Sequence, residues 1–255
     1  MTTLKLGKRP AARDDRTLRL SDVLVELPAV PPEYSYEAAH DVNLPTPMFA
    51  NDRYGDCVIA GRAHLTLRFE HFEQGQVLDI SDRDVLHEYF REGGANFLNP
   101  RPDRGLVMLN SLKLWRKCGW IVNGKRYYIY AFAGVNHLNY DLIRAAIYLF
   151  GGVTFGLALP KSAETQFRRG ETWDIVSGED GIRGSLGGHC VMSSDYTRDG
   201  LIDRTWGRPQ LMAWRYLDAY CDECYAVVDA RNRWLGDKSP LDLARLDSYL
   251  QALAG

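Results

Sequence analysis

The sequence holds only five cysteines in 255 residues, at positions 57, 118, 190, 221 and 224, and an odd number cannot pair completely. A chain of this length builds an apolar core without cross-links, so reduced thiols in a cytoplasm are the simpler reading. Charge of one sign is not in excess either. The 31 basic and 33 acidic residues leave a formal net charge of −2, which argues against a dedicated nucleic-acid binder. The most apolar run, residues 145–159, is too short to span a bilayer, and Gly151-Gly152 interrupts it. The first twenty residues carry six basic and two acidic side chains and no apolar stretch, which does not read as a secretory leader. These absences imply a cytoplasmic protein with no membrane or nucleic-acid partner; association with a virion is compatible with them.

Nucleotide and metal motifs are missing as well. Paired glycines at 93–94 and 151–152, and the glycines between 181 and 188, lie outside any strand–GxGxxG–helix or GxxxxGK[ST] setting. His64 and His71 lack an HExxH pattern. Cys221-Asp-Glu-Cys224 has the spacing of half a zinc site with no second half, so it reads as two ordinary thiols near the end of a helix. No cofactor and no metal are expected.

What is present is an ordinary globular composition, 45% apolar and 25% charged. Residues 1–40 hold Pro10, Pro28, Pro31 and Pro32 and short apolar bursts, and they read as an extended arm. That arm is a flexible tail, an inhibitory strap or an assembly contact with another protein. Residues 41–255 read as the main domain. After the turn-rich Asn51-Asp-Arg-Tyr-Gly-Asp56, a buried helix is predicted from Cys57, with Asp56 as its N-cap. Further helices are predicted over 81–91, opened by a Ser-x-x-Asp capping signature, and over 106–117, stopped by Gly119. Strands at 127–135 and 153–159, a helix at 140–150 between them, a hairpin of 190–196 with 201–206, a helix at 214–219 and a strand at 225–229 follow. Helices first and strands later give an α+β fold with a helical lobe at about 50–120 and a β lobe at about 121–230.

The chemistry-bearing pattern is a cysteine at a helix start paired with a Gly-Gly-His strand. A helix N-terminus stabilises thiolate, because unpaired N–H groups and the macrodipole favour an anion there. Cys57 occupies that position, and His189 opens a strand after Gly187-Gly188, about 130 residues later.

The order Asn51, Cys57, Gly188-His189-Cys190-Val191, Thr205-Trp206-Gly207 resembles the papain-like cysteine peptidases. The resemblance spans roughly residues 45–230. It implies a two-lobed α+β fold, a helical N-terminal lobe and a C-terminal antiparallel β-barrel-like lobe, with the active site in the cleft between them. It further implies a Cys57 nucleophile, a His189 base, an oxyanion hole that includes Asn51, and a cleft lined by Gly55, Gly188 and Trp206. The substrate would be a peptide or protein, cleaved at a peptide or isopeptide bond.

One position departs from the family's pattern. The orienting Asn of the family is Arg204 here, and arginine offers only donors. Asp203 accepts a histidine proton only if a bulge turns it onto the right face. A regular strand would instead place Ile202, Arg204 and Trp206 on one face, with the Trp206 ring over His189 and Arg204 either bent out to solvent or paired with an acid. Two alternatives stand beside the peptidase reading. One is a weak or inactive papain-like domain serving phage or bacterial assembly; the other is transglutaminase-like or cell-wall amidase chemistry on a related fold.

Overall fold

A computed structural model describes residues 4–95, 98, 103–229 and 239–252. The arm begins extended and then forms a one-turn helix α1 (Leu20–Val23), strand β1 (Tyr34–Ser35) and helix α2 (Tyr36–Ala39). Three longer helices follow: α3 (Cys57–Gln74), α4 (Asp82–Arg91) and α5 (Met108–Cys118). At α4 the expected capping box is complete, with Ser81 Oγ accepting from the Asp84 N–H and the Asp84 carboxylate accepting from the Ser81 N–H. Helix α5 starts at Met108 rather than at Leu106, because Leu106 is engaged in a parallel bridge with Lys8 of the arm.

A hairpin of β2 (Trp120–Val122) and β3 (Lys125–Tyr127) leads to β4 (Ile129–Gly134), α6 (Tyr140–Phe150), β5 (Val153–Leu159) and α7 (Ser162–Arg169). The chain ends its described course with β6 (Gly187–Tyr196), β7 (Gly200–Thr205), β8 (Arg208–Ala213), α8 (Trp214–Tyr220), β9 (Cys221–Asp229) and α9 (Leu243–Ala252). Strands pair in the order β4-β9-β5-β6-β7-β8, with β1 added beside β6. The expected barrel-like lobe is therefore corrected to an open antiparallel sheet: among the described residues its outer strands β4 and β8 do not pair with each other.

Two apolar cores flank the sheet, and strand alternation divides residues between them. Val191 of β6 packs with α6, whereas Cys190 and Met192 face α3. From Cys57 to Glu70 every residue of α3 is buried. Gly61 lets β6 approach this helix, since a Cβ there would lie 3.3 Å from Cys190 Sγ. Charges carried into this interior are paired, as burial of a lone ion is costly. Arg62 meets Glu88 at 2.5 Å and Glu92 at 2.6 Å, and Arg68 meets Glu37 of α2 at 2.5 Å. Glu37 also accepts from Arg204 at 2.9 Å, and Arg204 reaches Asp195 at 2.5 Å. This network fastens the second half of the arm to α3 and β7, and of the two courses open to Arg204, solvent or an acid, it takes the second.

Candidate functional site

Cys57 opens α3 and His189 lies near the start of β6, on facing walls of the groove between the two lobes. The Asp56 side chain makes no cap bond, contrary to expectation; its carbonyl instead accepts from the Ile59 and Ala60 N–H groups. The carboxylate is buried, and burial raises its pKa well above the usual carboxylate range. Its Oδ1 accepts from Asn51 Nδ2 at 3.0 Å, and the same amide nitrogen donates to the Tyr54 carbonyl at 3.0 Å. Both amide hydrogens of Asn51 are thus used inside the turn that precedes Cys57, and in this state neither is offered to a ligand.

The His189 ring lies under Trp206, with centroids 4.1 Å apart and planes 19° from parallel. Trp206 reaches this place through a left-handed backbone, φ 44°, followed by Gly207 at φ 80°, in the tight turn joining β7 to β8. The expected common face of Ile202, Arg204 and Trp206 is corrected by that turn: Trp206 packs beside Phe167 and Trp173, on the side away from Arg204. Ser193 pairs with Asp203 across β6 and β7, so His189, Ser193, Asp203 and Thr205 share a face by alternation. His189 Nε2 lies 2.7 Å from Thr205 Oγ1, and among the described residues Nδ1 makes no hydrogen bond. The Asp203 carboxylate bonds to Ser193 Oγ instead, so the structure does not bring Asp203 to His189. Thr205, the first residue of the Thr-Trp-Gly string, is thus the partner of the histidine ring, a role the motif alone does not signal.

Residues 5–9 of the arm run along the groove itself. Toward the helical lobe, the Lys5 N–H donates to the Asn51 carbonyl at 3.0 Å, the Leu106 N–H to the Gly7 carbonyl at 2.8 Å, and the Arg9 N–H to the Leu106 carbonyl at 2.8 Å. Toward the sheet, the Lys8 N–H donates to the Gly188 carbonyl at 3.1 Å and Trp206 Nε1 to the Lys5 carbonyl at 3.1 Å. Gly55 and Gly188, expected as cleft residues, are where the strap lies closest. A Cβ on Gly7 would sit 1.7 Å from the Gly55 oxygen, and one on Gly188 would sit 2.1 Å from the Lys8 oxygen.

The Cys57 sulfur accepts from the Cys190 N–H at 3.4 Å, and the Gly7 N–H lies near enough to favour its thiolate. Burial pushes the Cys57 thiol up to about 12 and the His189 imidazole down to about 3. With the strap in place, the two groups are neutral and not hydrogen-bonded to one another. Trp115, Trp120 and Trp173 are fully buried core residues and do not reach the groove surface. Among the described residues, no helix is long and apolar enough to cross a membrane.

No family model matches the sequence, and no curated protein does. Solved structures do match. Xylellain, a cysteine protease from Xylella fastidiosa, superposes with a TM-score of 0.66 at 16% identity, over 90% of this chain and 97% of that one. The cysteine protease and lectin-like domains of Cwp84, a surface layer associated protein of Clostridium difficile, give 0.62 at 13% identity, over 89% of this chain and 56% of that one. Procathepsin B S9 from Trypanosoma congolense gives 0.58 at 11% identity, over 88% and 86%. The protein therefore adopts the two-lobed papain-like fold of these cysteine proteases.

Proposed function

We propose that this chain is a cysteine peptidase whose nucleophile is Cys57 and whose base is His189, held shut by its own residues 5–9. The observation that carries the reading is the strap: an extended peptide lies in the groove, hydrogen-bonded to both walls, with its Gly7 N–H beside the buried Cys57 sulfur. A groove that binds main chain in this way over a thiol at a helix start is what peptide cleavage requires.

The strap is bound in a way that avoids its own cleavage. The Leu6–Gly7 peptide presents its N–H edge to the sulfur. In a trans peptide the Leu6 carbonyl then points away, towards Gly55, and the Gly7 carbonyl is held by the Leu106 N–H. No carbonyl carbon of this peptide is offered face-on to the thiol.

Once the strap leaves, water returns to both groups and reverses the burial shifts. In the tautomer that donates Nε2–H to Thr205 Oγ1, the His189 lone pair lies on Nδ1, the nitrogen left without a partner. Nδ1 then takes the Cys57 proton, and the thiolate, favoured by the start of α3, adds to a substrate carbonyl to form a C–S bond. The oxyanion is held by N–H groups at the start of α3. His189 returns the proton to the leaving amine as the C–N bond breaks, and water cleaves the thioester to regenerate the thiol. Asn51 serves by fixing the turn ahead of Cys57, through Asp56 and Tyr54. Asp203 is proposed to act only through the packing of β6 and β7.

Hydrolysis of quenched-fluorescence peptides tests this. The full chain carrying Gly7→Val should cleave, and adding Cys57→Ala or His189→Ala should abolish cleavage while the fold is retained. Absence of cleavage, with Cys57 no more reactive than Cys118, would favour a non-catalytic scaffold.

A further inference from the structure

Lys8 is the one residue of the strap whose charged end is carried out of solvent. Its side chain is 1% exposed, and Nζ lies 2.7 Å from Asp222 Oδ2 and 3.2 Å from Glu223 Oε1. Two neighbouring residues of a regular strand point to opposite faces, so a pair of adjacent acids meeting one cation needs an irregularity. β9 has one: Gly156 pairs with Glu223 and Leu157 with Cys221, which leaves Asp222 as an extra residue. This bulge turns both carboxylates towards the same ammonium.

A channel leads to them. A Cβ on Gly156 would lie 2.3 Å from Lys8 Cε and 2.6 Å from Glu223 Cγ, so any other residue at 156 would close the passage. At the mouth, the Lys8 main chain rests on Gly188 and is held by its carbonyl. Gly7, the residue before Lys8, lies beside Cys57, its N–H favouring the thiolate. The pocket is therefore one residue away from the proposed nucleophile, along a path that binds main chain.

We infer that this glycine-lined, two-acid pocket is a subsite selecting a lysine or arginine side chain in the peptides the groove binds, and that Lys8 occupies it in their place. The inference rests on the peptidase reading for its consequence, cleavage near basic residues, but not for the binding itself. The Glu223 carboxylate is buried and Asp222, one-quarter exposed, adds a second negative charge beside it, a pairing that is costly without a cation. Burial pushes the Glu223 carboxyl up, and Lys8 opposes that shift. When the strap departs, the pair needs another cation, and a basic substrate side chain brings one in the same geometry. A purely structural acid pair would have its cation on a fixed element of the fold. Here the cation comes from a segment that holds the groove mainly by backbone hydrogen bonds.

The test uses the full chain carrying Gly7→Val and Cys57→Ala, with two probes added in trans. One is the acetylated, amidated peptide Leu-Gly-Lys-Arg-Pro, the sequence of residues 6–10; the other has norleucine in place of lysine. The lysine peptide should bind at least about tenfold more tightly, since it alone makes charge-assisted bonds to the acids. Asp222→Asn with Glu223→Gln should bring the ratio near one. In the catalytically intact Gly7→Val chain, kcat/KM for a library varied at that position should show the same preference for lysine and arginine. Should Gly7→Val disturb folding, Lys8→Arg and Lys8→Met in the otherwise unchanged chain give a second measure. Amide exchange at Arg9 should stay slow with arginine and quicken about tenfold with methionine. Equal binding of the two peptides, or hydrolysis indifferent to basic residues, would overturn the subsite. Selective binding without hydrolysis of any peptide would uphold the subsite and refute the peptidase reading instead.

Discussion

Replacing Gly7 by valine should open the groove, and the structure sets the scale. A Cβ at this position would fall 1.7 Å from the Gly55 oxygen, where real contacts essentially never come below 3.0 Å. The neighbour is backbone in the turn braced by Asn51, Asp56 and Asp103, so it is the strap that must lift, by more than an ångström. That displacement removes the Gly7, Lys8 and Arg9 main-chain bonds at 2.8, 3.1 and 2.8 Å. At a net ~1 kcal/mol each, docking weakens by about 3 kcal/mol, which is about 100-fold in the equilibrium between closed and open forms. Peptide hydrolysis should rise by up to that factor, stopping where the open form becomes dominant. Amide exchange at Leu106 and Arg9 should quicken in parallel, while exchange in β5 and β6 stays unchanged. Faster exchange at Leu106 with no gain in turnover would refute the inhibitory role of the strap. Unchanged exchange would refute the geometry.

Other substitutions separate the groups around the proposed pair. Thr205→Val removes the partner of His189 Nε2 and should lower kcat by about tenfold or more with little change in KM, because ring orientation is lost rather than substrate binding; an unchanged kcat would remove Thr205 from the account. Asp203→Asn should leave kcat nearly intact and change stability instead. Burial raises the Asp203 pKa from 3.8 to about 7, so the native state keeps a proton that the unfolded chain gives up, and stability falls as pH rises through that window. The neutral amide escapes that loss, so its unfolding free energy should gain on the parent by a few kcal/mol between pH 4 and pH 8; parallel profiles would contradict this. Asn51→Ala should lower Tm, at a cost of about 1–3 kcal/mol for the partners left unsatisfied. A large fall in kcat with unchanged Tm would restore Asn51 to the oxyanion hole.

Much of this arrangement was legible in the sequence. The turn before Cys57, the capping signature at Ser81 and the breaks around Gly151 are local signals, and α6 and β5 have the bounds that those signals set. The cysteine at a helix start and the histidine at a strand start follow from the same kind of evidence. The strap's path does not, because it is held by main-chain hydrogen bonds to glycine-lined walls, and such contacts leave no side-chain period to read. The role of Thr205 is not legible either, because positive φ at Trp206 breaks the strand alternation that a count along the sequence presumes. In Cys221-Asp-Glu-Cys224 the thiols drew notice and the acids did not. A bulge, which makes neighbouring side chains converge, cannot be seen in a pattern that presumes alternation. Helix α7 and strand β8 were also unread. Helix α7 is a short eight-residue element, and β8 begins directly after the Trp-Gly turn, with no polar spacer to announce a new strand.

The central claim, that Cys57 is a His189-activated nucleophile masked by the strap, is tested most directly by mapping iodoacetamide alkylation at mildly acidic pH. In the parent chain Cys57 is buried under Gly7 with its thiol pushed up to about 12, so the half-buried Cys118 should react first. In the Gly7→Val chain the order should reverse, with Cys57 modified at least about tenfold faster than Cys118, and His189→Ala in that background should abolish the advantage. Cys57 reacting no faster than Cys118 after the strap is displaced, or reacting equally well without His189, would contradict the account.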